Sequence, residues 1–201
     1  MKRSDPTDAL VKAWTHLENI GLDRVAEGSG GTLEHDRLLV PRFSSQTVVS
    51  TKGKTMEEDG RQVKRHIQIL ILHYLSSCAD VGVKDRDVSF AMLPAGSVYA
   101  SAFDHRVLRR VSTEFGDRTA LLVEAGERLG GTRLAMGDAS VRLLPFPKMP
   151  VKIIVWRGDD EIPANASFLF DESAADILPV EDLCVLAEDT VERLINAAGL
   201  S

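Results

Sequence analysis

The chain has 201 residues, a formal net charge of −6 and 44% hydrophobic residues. This length and composition are typical of one globular domain, which we expect to cover residues 1–201. The sequence pI near 5.4 argues against a general nucleic-acid binder and against a protein that binds anionic membranes, because both need a basic face.

The sequence also predicts a cytoplasmic protein. It contains no apolar run of about 18 residues, which is the length needed to cross a bilayer. The polar start over residues 1–6 lacks the apolar stretch of a signal peptide. Cys78 and Cys184 are the only cysteines, and two distant thiols cannot by themselves hold a zinc ion or an iron–sulfur cluster. We therefore expect both to be free thiols.

The N-terminal part of the chain predicts a helix followed by a hairpin. The helix begins near Pro6 and stops at Gly21, where glycine favours a helix end. Residues 38–43 and 47–50 are apolar, extended segments that flank a polar turn. Pro41 cannot donate a ladder hydrogen bond, so we expect this strand to lie at an edge or to carry an irregularity.

The middle of the chain predicts helices. Residues 52–59 are polar and expected to be exposed. Residues 61–79 are the most apolar helix candidate, and a helix that is apolar all round is buried within the protein. A short strand at residues 88–90 precedes two further helical segments, residues 97–115 and 119–129.

The C-terminal part predicts a meander of antiparallel strands. A Gly137-Asp138 turn joins two apolar segments, and we expect residues 134–136 to pair with residues 141–143. Three further segments complete this part: strands at residues 151–156 and 166–170, and a closing helix at residues 182–198. Helices in runs and strands in runs predict an α+β fold, with a mostly antiparallel sheet packed against helices in a single domain.

The densest group of acidic residues surrounds the last two predicted strands. Asp159, Asp160 and Glu161 follow the first of them, and Asp171 ends the second. If the four carboxylates gather at one end of the sheet, they could bind a hard cation, although their spacing matches no calcium loop. The simpler interpretation is a solvated strand end, where Asp160 or Glu161 accepts hydrogen bonds from nearby backbone. We predict this structural role and no metal site.

Three aromatic or imidazole side chains form a second candidate site. His73 and Tyr74 lie on the apolar helix, and Trp156 ends a predicted strand. Together they could line an apolar pocket for a planar ligand such as a tetrapyrrole, for which a lone imidazole can serve as an axial ligand. The alternative is that the aromatic rings belong to the core and that His73 is a hydrogen-bonded core histidine.

Several short stretches resemble one protein family. They are Leu70-Ile71-Leu72-His73-Tyr74-Leu75, Val88-Ser89-Phe90, Leu93-Pro94, Gly96-Ser97-Val98-Tyr99, Phe115-Gly116, Leu129-Gly130-Gly131, Leu144-Pro145-Phe146-Pro147, Val155-Trp156, Gly158-Asp159-Asp160-Glu161, Leu169-Phe170-Asp171 and Leu178-Pro179-Val180-Glu181-Asp182. Between about residues 14 and 194, the chain is similar to the domain of unknown function 3786 family of anaerobic bacteria and archaea.

The resemblance implies a context but no activity. Similar proteins sometimes follow a small iron–sulfur module of the kind found with corrinoid proteins. This sequence has no cysteine-rich segment at its N-terminus, so an iron–sulfur cluster would have to come from a partner. The resemblance transfers no catalytic residue.

These observations favour a non-catalytic function. There is no Gly-x-Ser-x-Gly nucleophile motif and no dinucleotide fingerprint, so nothing in the sequence requires an enzyme. The leading hypothesis is a binding or accessory module of anaerobic metabolism that serves corrinoid or iron–sulfur proteins and has no cofactor of its own. The alternatives are a metal-dependent or hydrolase-like enzyme that uses the acidic residues at 159–171, and a structural homo-oligomer.

Overall fold

Two antiparallel sheets form the β part of the fold, which the computed structural model describes over residues 6–200. The first sheet is a meander in chain order: β1 (Thr32–Glu34), β2 (Arg37–Arg42), β3 (Ser45–Ser50), β4 (Thr55–Glu58) and β5 (Arg61–Gln62). The second sheet has the order β6-β10-β9-β8-β7, with β6 (Asp87–Ser89), β7 (Thr132–Arg133), β8 (Ala139–Leu143), β9 (Val151–Trp156) and β10 (Asn165–Asp171).

Helices surround these sheets and share one continuous core with them. They are α1 (Pro6–Ile20), α2 (Leu22–Ser29), α3 (Arg65–Ser77), α4 (Gly96–Phe103), α5 (Arg109–Phe115), α6 (Thr119–Arg128), α7 (Ala174–Ile177) and α8 (Val180–Ala197). A 3-10 turn spans Phe90–Met92, and a π-helical turn spans Asp104–Leu108 between α4 and α5. The predicted α+β class and single domain are confirmed, but the strands form two sheets instead of one.

The most apolar predicted helix is α3, and it is buried as expected. It packs against α1, α2, α7 and α8, and seven of its residues are buried. Helix α8 lies beside it and also contacts α5 and α6, so α3 and α8 together join most of the helices to the single core. The predicted helix at residues 97–115 is also present, with the π-helical turn inserted in its middle.

Strand β2 lies between β1 and β3, so the predicted edge position of Pro41 is correct only for the end of the strand that contains it. Strand β1 pairs only with Arg37–Leu39 of β2, so Pro41 lies beyond the end of β1 and removes no hydrogen bond from the ladder on that side. The backbone N–H of Phe43 in the following turn donates to the Leu144 carbonyl at 2.9 Å. This bond ties the first sheet to the chain just after β8.

The prediction that residues 52–59 are exposed holds for six of the eight residues and fails at Met56 and Glu58. Part of this segment is β4, in which Met56 is fully buried and Glu58 is only 9% exposed. Alternate residues of a strand face the same side, so pairing of β4 with β3 carries Met56 and Glu58 together onto the core face. Polarity alone therefore gave a misleading estimate of burial here.

The second sheet contains the predicted meander with a corrected register. Val141 pairs with Ile153, and Ile153 pairs with Phe168, so β8, β9 and β10 are neighbours as expected. Residues 132–133 of β7 pair with β8, whereas residues 134–136 were predicted to do so. The physical reason is a wide turn: the Met136 backbone N–H donates to the Ser140 hydroxyl at 3.0 Å, instead of continuing the ladder.

Candidate functional site

Two arginines and two carboxylates meet between the first sheet and α8, and we call them the charge quartet. Arg42 ends β2, Glu58 ends β4, and Asp189 and Arg193 lie one turn apart on α8. The alternation of β2 places Arg42 on the same buried face as Val40, and β4 brings Glu58 to it in the same way. The fold therefore inserts a cation and an anion from the sheet into the core beside a matching pair on the helix.

Each carboxylate of the charge quartet bridges both guanidinium groups. Arg42 donates to Glu58 Oε2 at 2.9 Å and to Asp189 Oδ2 at 2.6 Å. Arg193 donates to the same two oxygens, at 2.7 Å and 3.1 Å. The quartet is electrically neutral as a unit, and its charge-assisted hydrogen bonds are the strong kind.

Aromatic rings cover the two guanidinium groups. The Arg42 guanidinium carbon lies 5.1 Å from the centroid of Phe146 and 5.8 Å from that of Phe43. The Arg193 guanidinium carbon lies 4.9 Å from the centroid of Phe43. These distances are within the range of cation–π attraction, which is stronger where water is excluded.

Burial and charge act in opposite directions on the two arginines. Burial lowers the pKa of Arg42, against the opposing effects of Asp189 and Glu58. Burial would also lower the pKa of Arg193, but the neighbouring carboxylates of Asp189 and Glu58 outweigh it and raise that pKa. Arginine stays protonated in proteins, so both guanidinium groups keep their charge and depend on the two carboxylates.

Two polar atoms of the charge quartet are buried without a hydrogen-bond partner in the part of the chain that the structure describes. They are Arg42 Nε and Glu58 Oε1. Leaving such a group unsatisfied costs about 1–3 kcal/mol each, and more for charged groups. An apolar core of the same shape is often as stable as a buried group of charges. Stability alone therefore does not explain why the quartet is present.

An open cleft of about 590 Å³ lies against the charge quartet, between the β4–β5 turn, the start of α3 and the last turns of α8. Positive charge on its wall comes from Arg61, Lys64 and Arg193. Negative charge comes from Glu58, Asp59, Asp189 and Glu192. Amide and apolar groups complete the wall: Gln62, Val63, Ile67, Leu129, Asn196 and Ala197.

The cleft is suited to binding by ion pairs and hydrogen bonds. Lys64 and Glu192 pair across its rim at 2.7 Å, with both side chains partly exposed. The described residues that line it include no serine, cysteine or histidine, so no hydroxyl or thiol nucleophile and no imidazole base faces the space. The arrangement can hold a polar ligand, but it lacks the usual parts for nucleophilic catalysis.

The four predicted acidic residues do not come together. Asn165, just after the acidic turn, pairs with Trp156, whereas Phe170 pairs with Val151 at the other end of the hairpin. Asp171 is therefore separated from residues 159–161 by nearly the whole of β10, so the gathering on which a four-carboxylate cation site depends does not occur. An antiparallel hairpin places its turn and the end of its second strand on opposite edges.

Both parts of the acidic set have structural roles in hydrogen bonding. Asp159 Oδ1 accepts the backbone N–H groups of Glu161 and Ile162, at 2.9 and 2.7 Å, which lowers the pKa of Asp159. The turn is thus capped by Asp159, whereas Asp160 or Glu161 was expected to do so. Asp160 and Glu161 are exposed.

Asp171 is buried and organises a loop. Its carboxylate accepts the backbone N–H groups of Lys84 at 2.9 Å, Arg86 at 3.1 Å and Ser173 at 3.0 Å, together with the Ser173 hydroxyl. Burial alone would raise the pKa of Asp171, but these hydrogen bonds outweigh it and lower that pKa. The carboxylate joins the segment before β6 to the end of β10.

The three side chains of the second predicted site have separate surroundings. His73 Nδ1 lies 2.5 Å from Asp182 Oδ2 at the start of α8, and this hydrogen bond raises the pKa of His73 despite partial burial. Tyr74 is fully buried, stacked on Phe146 at a centroid distance of 4.2 Å. Trp156 is 40% exposed at the end of β9. A shared planar-ligand pocket for these residues stays a prediction.

The side chains that could bind a metal ion do not cluster in the described residues. Across residues 6–200, no group of three or more histidines, cysteines, aspartates or glutamates is arranged to hold a metal ion. Cys78 is buried and Cys184 half-buried, and both are free thiols. Within the same residues, no helix combines the length and apolar character needed to cross a bilayer.

The sequence analysis did not predict the charge quartet, although local patterns in β2 and in α8 each indicate part of it. In β2 the apolar residues Leu38 and Val40 predict an inward-facing position 42, and Arg42 occupies it. In α8, Asp189 and Arg193 have the i, i+4 spacing of an ion pair beside the apolar face. The sequence does not show that Arg42 on β2 contacts this ion pair on α8.

Comparison with known proteins identifies a family. The family model described as "Domain of unknown function (DUF3786)" matches residues 22–193, which is most of the chain and includes the whole charge quartet. No curated protein and no solved structure matches the chain.

Proposed function

Since the chain belongs to the domain of unknown function 3786 family, which carries no assigned activity, we propose from its geometry that it is a non-catalytic binding module. The ligand site in this proposal is the cleft of about 590 Å³ between the β4–β5 turn, α3 and α8. A cleft of this volume falls within the range of small-molecule sites, roughly 300–1,000 Å³.

The observation that carries the proposal is the charge quartet beside the cleft. Arg42 is fully buried, and the side chain of Glu58 is only 8% exposed, yet both are held in ion pairs at 2.9 Å or less. Fixed charges in a desolvated environment act more strongly on a ligand than solvated ones, because the local dielectric is low. Their rigid geometry also means that a ligand would not have to order them on binding.

The mixture of charges favours a small dipolar ligand, one with an anionic and a cationic group. The exposed Arg61 and Lys64 would receive the anionic group, and Glu192 with the inner carboxylates would receive the cationic group. A ligand of one sign would meet a like charge on the opposite wall, which disfavours it. Gln62 and Asn196 offer amides for further hydrogen bonds.

Three tripeptides of equal size test this ligand class. Trialanine is dipolar, N-acetyl-trialanine is only anionic, and trialanine amide is only cationic. We expect trialanine to bind most tightly in isothermal titration calorimetry, and each capped form to bind about three- to fivefold more weakly, as for the loss of one partly exposed ion pair. Equal binding of the three forms, or no binding of trialanine, would contradict the proposal.

A pair of arginine variants localises the binding to the cleft. Arg61→Gln removes a cation from the wall, and we expect it to weaken trialanine binding to the level of the amide form. Arg37→Gln is the matched control, because Arg37 is an exposed arginine at the opposite end of β2 from Arg42. Equal effects of the two substitutions would place the binding elsewhere.

The partner in this proposal is a corrinoid or iron–sulfur protein, with this chain as its accessory module in anaerobic metabolism. The basis for this partner is the resemblance described in the sequence analysis, in which similar proteins sometimes follow an iron–sulfur module. Two free thiols cannot by themselves ligate a cluster, so a cluster would belong to the partner. Anaerobic affinity purification followed by native mass spectrometry and metal analysis tests it. A complex that contains iron or cobalt supports the proposal, and a chain recovered without a partner or metal contradicts it.

A further inference from the structure

A basic cavity of about 490 Å³ lies along the π-helical turn and α5, beside α8. Histidine and arginine side chains form most of its wall: His105, Arg106, Arg109 and Arg110. Positions 109, 110 and 113 follow Arg106 at the i+3, i+4 and i+7 spacing of one helix face, and the π-helical turn is a local widening that is frequent at functional sites. The whole chain has a net charge of −6, so this positive charge is a local concentration.

The arginines of this cavity are free to bind an anion. The Arg110 side chain is exposed and forms no ion pair or hydrogen bond with the part of the chain that the structure describes. Arg106 pairs with Glu188 at 3.4 Å, and both side chains are exposed to solvent. Arg109 pairs with Asp104 at 3.0 Å, again at the surface. Exposed pairs of this kind contribute little free energy, so an anionic ligand can replace them at a small cost.

Two carboxylates and a hydroxyl line the rest of the cavity. Glu114 and Glu188 are each paired with an arginine, which reduces their repulsion of an anion. Their oxygens can still accept hydrogen bonds from hydroxyl groups of a ligand, and Thr113 adds a hydroxyl of its own. Apart from the imidazole of His105, the described lining residues include no aromatic and no hydrophobic side chain. The wall therefore suits a polar ligand and offers little to an apolar one.

We propose that this cavity binds a small phosphate ester with hydroxyl groups, such as a sugar phosphate. The planar guanidinium of arginine donates two parallel N–H bonds to phosphate oxygens, so the three arginines receive the phosphate. The hydroxyl and the two carboxylates of the wall exchange hydrogen bonds with the hydroxyl groups of the ligand. A volume of about 490 Å³ is larger than a phosphate ion needs and lies within the range of small-molecule sites, roughly 300–1,000 Å³. The cavity shares no lining residue with the charged cleft, so this inference does not depend on the function proposed there.

Glucose 6-phosphate, inorganic phosphate and glucose are the probes that test the ligand class. Each is titrated into the full chain by isothermal titration calorimetry at one ionic strength. We expect glucose 6-phosphate to bind most tightly and inorganic phosphate about three- to tenfold more weakly, the usual effect of losing one hydrogen bond. Glucose lacks the charged group, so we expect no detectable binding. The proposal is overturned if glucose 6-phosphate shows no saturable binding, or if inorganic phosphate or glucose binds as tightly.

A pair of double variants localises the binding to this cavity. Arg106→Gln/Arg110→Gln removes two cations from the wall, and we expect it to weaken binding of glucose 6-phosphate about tenfold. Arg128→Gln/Arg133→Gln removes the same charge from exposed positions outside the cavity and should leave the affinity unchanged. If the first variant melts below the wild type, Arg110→Gln alone replaces it, with an expected loss of about three- to fivefold. Wild-type affinity in the folded cavity variant, or an equal loss in the control, overturns the proposal.

Discussion

The charge quartet joins residues that are distant in the sequence, whereas the acidic turn at residues 159–161 consists of neighbouring residues that stay in solvent. Arg42 and Asp189 are 147 positions apart, yet their side chains meet at 2.6 Å inside the protein. The acidic turn has three consecutive carboxylates, and they extend into solvent with Asp159 capping its own turn. Charge density along the chain is therefore a poor guide to charge density in the fold, because packing of distant elements decides which charges lose water.

Removal of Arg42 should have the largest effect on stability. Arg42→Met leaves Glu58 and Asp189 without their buried partner, and breaking a buried pair in this way costs about 3–5 kcal/mol. Urea unfolding measures the change. Arg24→Met is the control, because it breaks an exposed pair with Asp80 and should cost no more than about 1 kcal/mol. Similar losses in the two variants would show that the charge quartet is solvated.

The next largest effect concerns Asp171, the buried member of the predicted acidic set. Asp171→Asn replaces a carboxylate that accepts four hydrogen bonds, and we expect a loss of about 1–3 kcal/mol in the free energy of unfolding. Asp160→Asn, on the exposed turn, should stay within about 0.5 kcal/mol of the wild type. A larger loss of stability for Asp160→Asn than for Asp171→Asn would contradict the structural role that we assign to Asp171.

Asp171 should also contribute to the loss of stability in acid. Its pKa is lowered in the folded chain from the ordinary value of 3.8, so its contribution is present above that pH and is lost as the pH falls through the folded pKa. We therefore expect the free energy of unfolding, measured in urea at several pH values, to fall less steeply toward low pH for Asp171→Asn than for the wild type. This part of the curve is its acid limb. An unchanged acid limb would contradict this role.

A smaller effect is expected at the pair of His73 and Asp182. The folded pKa of His73 is raised from 6.5, so the pair stabilises fully below that pH and loses its contribution as the pH rises through the folded pKa. Because His73 is 40% exposed, we expect no more than about 1 kcal/mol, and His73→Gln should remove this pH dependence. His66→Gln, exposed on the same helix, should leave it intact.

The smallest expected effect is that of divalent cations on the acidic turn. A cation bound only by the native state would stabilise it by RT ln(1 + [L]/Kd). Since Asp159 is engaged with backbone and Asp171 lies at the far end of β10, we expect millimolar Ca²⁺ or Mg²⁺ to leave the melting temperature nearly unchanged. A rise of several degrees that Asp160→Asn abolishes would instead support the metal-dependent enzyme.

Local patterns predicted most of the elements correctly. The all-round apolar character of α3 predicted its burial, and the short connections predicted that β8, β9 and β10 are neighbours. Both follow from properties of a few consecutive residues. The exceptions lie where strand pairing decides burial: residues 52–59 are polar and mostly exposed, but pairing of β4 with β3 buries Met56 and Glu58.

By itself, the sequence determined the α+β class and the family, because helical periodicity, strand alternation and short motifs are local properties. Only the tertiary structure decided the site. It separated Asp171 from the acidic turn along β10 and brought Arg42 and Glu58 to α8. The physical reason is that a charge loses its water only where distant elements pack over it. In this protein, the packing of α8 against the first sheet desolvates the charge quartet.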